Sequence, residues 1–117
     1  MLKVKRVYEN AAAGDGRRFL VERLWPRGMK KEALKMEAWI KGVAPSDDLR
    51  RWFGHDPLKW TEFQQRYRAE LESNPDAWEP ILEAARHGEV TLLYSAHDTE
   101  HNNAIVLKSF LEERLKR

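Results

Sequence analysis

The sequence predicts a small α/β domain, with helices packed on a mixed sheet of about three strands. Three short apolar segments have the composition of strands, at residues 4–8, 18–25 and 90–96. Helical spacing of apolar residues dominates between the second and third strands, and it returns after the third. The order strand, strand, helices, strand, helix is typical of a layered α/β domain.

The first two strands are expected to pair antiparallel. Only about eight residues separate them, around Gly14 and Gly16, whereas a parallel crossover usually requires a dozen or more. Residues 18–25 are apolar on both faces, which predicts a central strand covered on both sides. Pro26 and Gly28 then end this strand, because proline cannot donate to the ladder and glycine favours a turn.

Five helices are predicted after the second strand. The first covers about residues 36–43, where Met36, Trp39, Ile40 and Val43 have helical spacing. Capping signals place the others, which begin at about Ser46, Asp56, Asn74 and Asn102. The helices between the second and third strands are long enough for a crossover, so these two strands should be parallel. Their carboxyl ends would then meet at one edge, where open α/β sheets bind ligands.

Length and composition restrict the class of protein. The 117 residues suit one domain, 1–117, and the 42% hydrophobic content supplies a core. Net charge is only +2, so nucleic-acid binding receives weak support, although the pI near 9.0 and basic runs such as RGMKK keep it open. The absence of cysteine excludes disulfides and thiolate zinc sites. Neither a membrane-spanning run nor a signal peptide is evident, so a cytoplasmic location is expected.

The segment ERLWPRG, residues 22–28, is the first polar cluster. Glu22 and Arg23 interrupt an otherwise apolar strand, and buried charges are rare unless they are paired. They are therefore either a structural ion-pair set or part of a site. Arg27 lies in the turn that follows, and its guanidinium group suits a carboxylate or a phosphate. We expect four ligand-binding side chains here: Glu22, Arg23, Trp25 and Arg27.

The segment HDTEHNN, residues 97–103, is the second polar cluster. Asp98 or Thr99 can cap the last helix, but seven polar residues exceed what capping requires. His97 and His101 are candidates for proton transfer, with Asp98 orienting one ring. Zinc is not expected, because His97 precedes the helix and no third ligand is evident. The candidate catalytic residues are His97, Asp98 and His101, and the candidate ligand-binding residues are Ser95, Asn102 and Asn103.

Three blocks, DGRRFLVERLWPRG, APSDDLRRWFGHDPLKW and VTLLYSAHDTEHNNAIVL, resemble the YeaO-like family of small bacterial proteins of unknown function. They cover nearly the whole chain in the right order. In that family the place of Glu22 is usually Asp, in a VDRLWPRG block. Longer relatives carry DVR and a late CHR motif, whereas this chain has no cysteine and has Asn102 and Asn103 near the second motif. The resemblance therefore implies no thiol chemistry here, and no established activity.

Together these observations predict an uncharacterised protein that binds, and could act on, a small anionic ligand. A phosphorylated or nucleotide-like compound would be held at the carboxyl ends of the second and third strands. The alternative is a nucleic-acid-binding or protein-binding module without catalysis. The sequence identifies neither a cofactor nor an oligomeric state.

Overall fold

The computed structural model describes all 117 residues and contains one four-stranded parallel sheet. Its strands are β1 (Leu2–Arg6), β2 (Arg17–Leu20), β3 (Ala38–Trp39) and β4 (Val90–Tyr94). Their spatial order is β1-β4-β2-β3. The α/β class and the parallel pairing of β2 with β4 are confirmed.

The expected antiparallel pairing of the first two strands is wrong. β1 and β2 are not neighbours, because β4 lies between them and is parallel to both. Residues 7–16 return the chain to the amino edge of the sheet without a helix of normal length, using only the 3-10 turn Ala13–Asp15. Ten extended residues can span roughly 33 Å, about twice the ~17 Å length of a five-residue strand. The connection is therefore long enough for a parallel crossover.

Gly16 makes this connection possible at its closest point. It has φ +62°, and a Cβ atom built there would lie 2.1 Å from the carbonyl oxygen of Glu89. No other residue type fits, since both the left-handed backbone and the close approach require the absence of a side chain. Gly16 thus lets the chain enter β2 directly beside the start of β4.

The second strand is shorter than expected. β2 ends at Leu20, after which the Val21 N–H still donates to the Leu93 carbonyl at 3.1 Å. Glu22 and Arg23 consequently lie in the loop beyond the strand, not inside it. Both side chains lie at the carboxyl edge of the sheet, where they are half-buried.

The helix expected at 36–43 is absent. This segment forms β3 and the 3-10 helix Lys41–Val43. The N–H groups of Glu37 and Ile40 donate to β2 carbonyl groups, at 2.6 and 2.9 Å. Its apolar spacing was compatible with a helix, but pairing to the free edge of β2 satisfies these backbone groups, and it makes β3 the fourth strand.

The remaining helices agree with the capping signals. They are α1 (Asp47–Phe53), α2 (Trp60–Glu72), α3 (Pro75–His87) and α4 (Asn103–Leu115). Ser46 caps α1, and the Asp56 side chain accepts from the Leu58 N–H ahead of α2. Neither Asp98 nor Thr99 caps α4, because the Asn102 side chain accepts from the Ile105 N–H at 3.1 Å. No helix has the length and apolar composition needed to cross a membrane.

Apolar side chains cover both faces of the sheet. On one face the helices enclose the main core, to which Val90, Leu92 and Tyr94 of β4 contribute. On the other face Leu20 and Leu93 join a smaller cluster, which the segment containing Trp25 to Trp39 covers. A sheet enclosed in this way leaves its carboxyl edge as a place where polar side chains can gather.

Candidate functional site

A cavity of about 1000 Å³ lies at the carboxyl edge of the sheet. We call it the strand-end cavity. Residues that follow β1, β2 and β4 line it, together with residues of the α1 region. The lining residues are Arg6, Tyr8, Glu22, Arg23, Leu24, Trp25, Pro26, Arg27, Ala44, Pro45, Arg50, Phe53, His55, Phe63, Ser95, Ala96, His97, Asp98, Asn102 and Asn103. The two polar clusters of the sequence thus lie around one space.

Glu22 places a carboxyl group in this lining without an ion-pair partner. Its Oε2 atom accepts a hydrogen bond of 3.2 Å from the Ser95 hydroxyl. Burial raises the pKa of Glu22 to about 7, against the opposing effects of the Ser95 hydrogen bonds and the positive charge of Arg50. The Glu22 carboxyl therefore binds a proton more tightly than an ordinary glutamate does.

Arg23 and Trp25 are held by the protein itself. The guanidinium group of Arg23 donates to the carbonyl oxygens of Ala44 and Pro45 at 3.2–3.3 Å. The Trp25 indole donates to the Met29 carbonyl at 2.6 Å, and its ring packs edge-on against Trp39. Both side chains line the cavity; Arg23 joins its loop to the segment before α1, and Trp25 packs the same loop against β3.

Arg6 and Arg27 are cations without a carboxylate partner. Arg6 donates to the carbonyl oxygens of Ala96 and Ser95, at 2.9 and 3.4 Å, and its guanidinium carbon lies 4.9 Å from the centre of the Tyr8 ring. Arg27 is exposed, and no hydrogen bond or ion pair holds its guanidinium group. Its backbone is fixed instead, because the Tyr8 hydroxyl donates to the Arg27 carbonyl at 2.7 Å. Both guanidinium groups retain donors for an anion.

Asp98 organises the loop between β4 and α4. Its Oδ1 atom accepts from the N–H groups of Glu100 and His101, both at 2.9 Å, and its Oδ2 atom lies 2.9 Å from the His101 ring. The hydrogen bond from Glu100 and those from His101 hold the pKa of Asp98 below its ordinary value. This carboxylate is consequently occupied by its own loop.

The three candidate catalytic residues do not all face the cavity. The His101 ring lies close enough to Asp98 for a hydrogen bond that would orient it. The ring packs edge-on against Trp60, with 5.1 Å between the ring centres, and it does not line the cavity. His97 does line it, and this side chain is exposed without a hydrogen-bond partner. The histidine that has an orienting carboxylate is therefore separated from the space that a ligand would occupy.

Asn102 and Asn103 connect the start of α4 to the rest of the edge. Asn102 is buried, caps the helix and donates to the Asp98 carbonyl at 3.0 Å. Asn103 donates to the Val21 carbonyl at 2.7 Å. Both amides are therefore engaged in holding the two polar clusters in place.

Sequence reasoning missed four lining residues with polar side chains: Arg6, Tyr8, Arg50 and His55. Arg6 is the last residue of β1, so the rule that located the other clusters would have included it had β1 been recognised as parallel. His55 follows α1 with φ +58°, and its ring lies 6.1 Å from that of Phe53.

No group of three or more histidine or carboxylate side chains is arranged to hold a metal ion.

Comparison with known proteins places the chain in a family. The model of DUF488-N3i, described as the inactive DUF488-N3 subclade, matches residues 1–117. The chain belongs to this family. The uncharacterized protein YeaO of Escherichia coli K12 is 40% identical to this chain over 110 residues, which are 94% of this chain and 96% of the relative. The expected resemblance to small bacterial proteins of unknown function is confirmed.

A more distant relative comes from another bacterium. The uncharacterized protein Rv3073c of Mycobacterium tuberculosis H37Rv is 35% identical over 113 residues, which are 97% of this chain and 95% of the relative. No solved structure matches this DUF488-N3i chain. The similarity to these relatives extends over almost the whole of each chain, and their names assign no activity.

Proposed function

We propose that this DUF488-N3i protein binds a small anionic ligand, phosphorylated or nucleotide-like, in the strand-end cavity. The arginines carry this proposal. Four of them line the cavity against two carboxylates, and neither Arg6 nor Arg27 pairs with either carboxylate. Guanidinium groups bind carboxylates and phosphates through two parallel hydrogen bonds. A cavity with unpaired guanidinium groups is thus suited to an anion.

The size and walls of the cavity support a ligand with an apolar body. Its volume of about 1000 Å³ lies at the upper end of the range for small-molecule sites. Leu24, Trp25, Phe53 and Phe63 provide apolar wall beside the arginines. A nucleotide-like compound combines a phosphate with a planar ring, and both parts find complementary surface here.

Binding fits this geometry better than turnover. Asp98 lines the cavity, but the His101 ring that it contacts packs beside Trp60 and is not part of the lining, and His97 has no orienting partner. General acid–base catalysis requires the proton-transfer group within hydrogen-bond reach of the substrate. The description of the family as an inactive subclade agrees with a binding role.

A thermal-shift screen tests the proposal, because a ligand that binds the folded state raises the melting temperature. Nucleotides, sugar phosphates and a short oligonucleotide would be compared on the wild type and on Arg27→Ala, whose side chain has no protein partner to lose. Arg86→Ala is the control, since Arg86 is exposed in the last turn of α3, before the amino end of β4, and loses only an exposed ion pair with Glu83.

The expected result is a stabilising small anion whose effect persists in Arg86→Ala and is lost in Arg27→Ala. A ligand effect that survives in Arg27→Ala would contradict the proposal. Stabilisation by the oligonucleotide alone, with a steep salt dependence, would favour a nucleic-acid-binding module instead.

A further inference from the structure

Glu22 is unusual among the polar groups of the strand-end cavity. Ser95 is the only residue that hydrogen-bonds to its carboxyl group, and no ion pair reaches it although four arginines line the same space. Removing a carboxylate from water without a counter-ion is unfavourable. Since a carboxylate offers about four lone-pair sites, most of its acceptor capacity is not used by the protein.

The backbone around Glu22 holds this carboxyl group in position. Leu20 is opposite Leu93 in the ladder, so Glu22 and Ser95 continue the same register two residues beyond the paired ends. The Glu22 carbonyl accepts from the Trp39 indole at 2.6 Å, and the carbonyl of the preceding residue accepts from Asn103 at 2.7 Å. Two side chains from different elements thus fix the peptide units on which the carboxyl depends.

We propose that the ligand presents a hydroxyl or amino donor to Glu22 and Ser95 while the arginines hold its anionic group. This inference rests on the proposed function and narrows it to anions that carry a hydrogen-bond donor. An anion without a donor would place its apolar part against a carboxyl group whose only hydrogen bond comes from Ser95. Glu22 therefore favours anions that carry a hydrogen-bond donor and disfavours anions that lack one.

The electrostatics of the site agree with this assignment. Burial raises the pKa of Glu22 to about 7, in agreement with surroundings that solvate the ionised form poorly. A donor from the ligand would replace part of the lost hydration, and an ammonium group would also supply the missing counter-ion. Hydroxyl and amino donors share this chemistry, and separate probes distinguish them.

Three matched probes test the inference: propyl phosphate, glycerol 3-phosphate and 3-aminopropyl phosphate. They share a three-carbon chain and a phosphate, and they differ in having no further donor, two hydroxyl groups or an ammonium group. Affinity for the full chain would be measured by titration followed by NMR, which detects weak binding. The variants are Glu22→Gln, which removes the charge, and Glu22→Met, which removes the acceptor too; their spectra report whether the fold is intact.

We expect the wild type to bind at least one donor-bearing probe at least about tenfold more tightly than propyl phosphate. Glu22→Met should abolish that preference, and Glu22→Gln should weaken the ammonium probe more than the hydroxyl probe. Equal binding of all three probes to the wild type would overturn the inference and leave the anion site standing. Failure of all three to bind would overturn the proposed function and this inference with it.

Discussion

The Asn103 side-chain amide donates a hydrogen bond of 2.7 Å to the backbone carbonyl of Val21. This bond joins the first turn of α4 to the end of β2. Asn103→Ala should lower the free energy of unfolding by about 1–3 kcal/mol, because a buried carbonyl loses its partner. Urea denaturation measures this change. Ser109→Ala, an exposed position on the same helix, is the control and should change stability by less than about 0.5 kcal/mol.

Glu22 should make stability depend on pH near neutrality. Its pKa is about 7 in the folded protein, against 4.5 for the ordinary side chain. Between these values the folded state holds a proton that the unfolded state has released, so stability falls as pH rises from about 4.5 to 7. The loss is on the order of 2 kcal/mol. Glu22→Gln should remove it, and urea titrations at pH 5 and 8 on both proteins provide the measurement.

Asp15 should make stability change with pH in the opposite direction, so that stability falls as the solution becomes more acidic. Burial alone would raise its pKa, but hydrogen bonds from Ala12, Lys5 and Arg18 outweigh burial and lower the pKa to about 2. The stabilisation is present above pH 4 and is lost as pH falls towards 2. Asp15→Asn should cost about 3–5 kcal/mol at pH 7, because it leaves the buried Arg18 charge without its partner.

Thermal melts from pH 7 down to pH 2 would follow the difference between wild type and Asp15→Asn, which should shrink in acid. Glu79→Gln, an exposed carboxyl, is the comparison and should behave as wild type. A difference that stays constant over this range would show that the ion pairs of Asp15 do not contribute in the expected way.

His101→Ala separates folding from binding. The substitution removes the ring that packs on Trp60 and the partner of Asp98, so the free energy of unfolding should fall by about 1–2 kcal/mol. Affinity for an anionic ligand should remain unchanged, because His101 does not line the cavity. Calorimetric titration beside Arg27→Ala measures this, and a clear loss of affinity in folded His101→Ala would place the histidine in the site.

Local signals predicted much of this fold. The caps at Ser46 and Asp56 depend on a side chain and a backbone N–H only two or three residues away, so the sequence contains all the information required. The order of the strands in the sheet could not be predicted from such local signals. The insertion of β4 between β1 and β2 depends on contacts between residues distant in the chain, and no local pattern records them.

The sequence pointed to the two polar clusters that line the strand-end cavity, and it missed some of the other lining residues. Polar residues that interrupt apolar segments pointed to Glu22 and to the loop around Asp98. The orientation of His101 depends on the position of Trp60 in another helix, which spacing does not show. Arg6 was missed because its role follows from the direction of β1 and not from its own surroundings in the sequence.

The central position of β4 also affects how the chain can assemble during synthesis. β1 has no partner in the sheet until Val90–Tyr94 has been made, since Leu2 pairs with Val90. The residues of β4 must therefore leave the ribosome before the sheet can close, and contacts of such high sequence separation slow folding. A nascent chain that stops before β4 would expose two unpaired strand edges and be prone to aggregate.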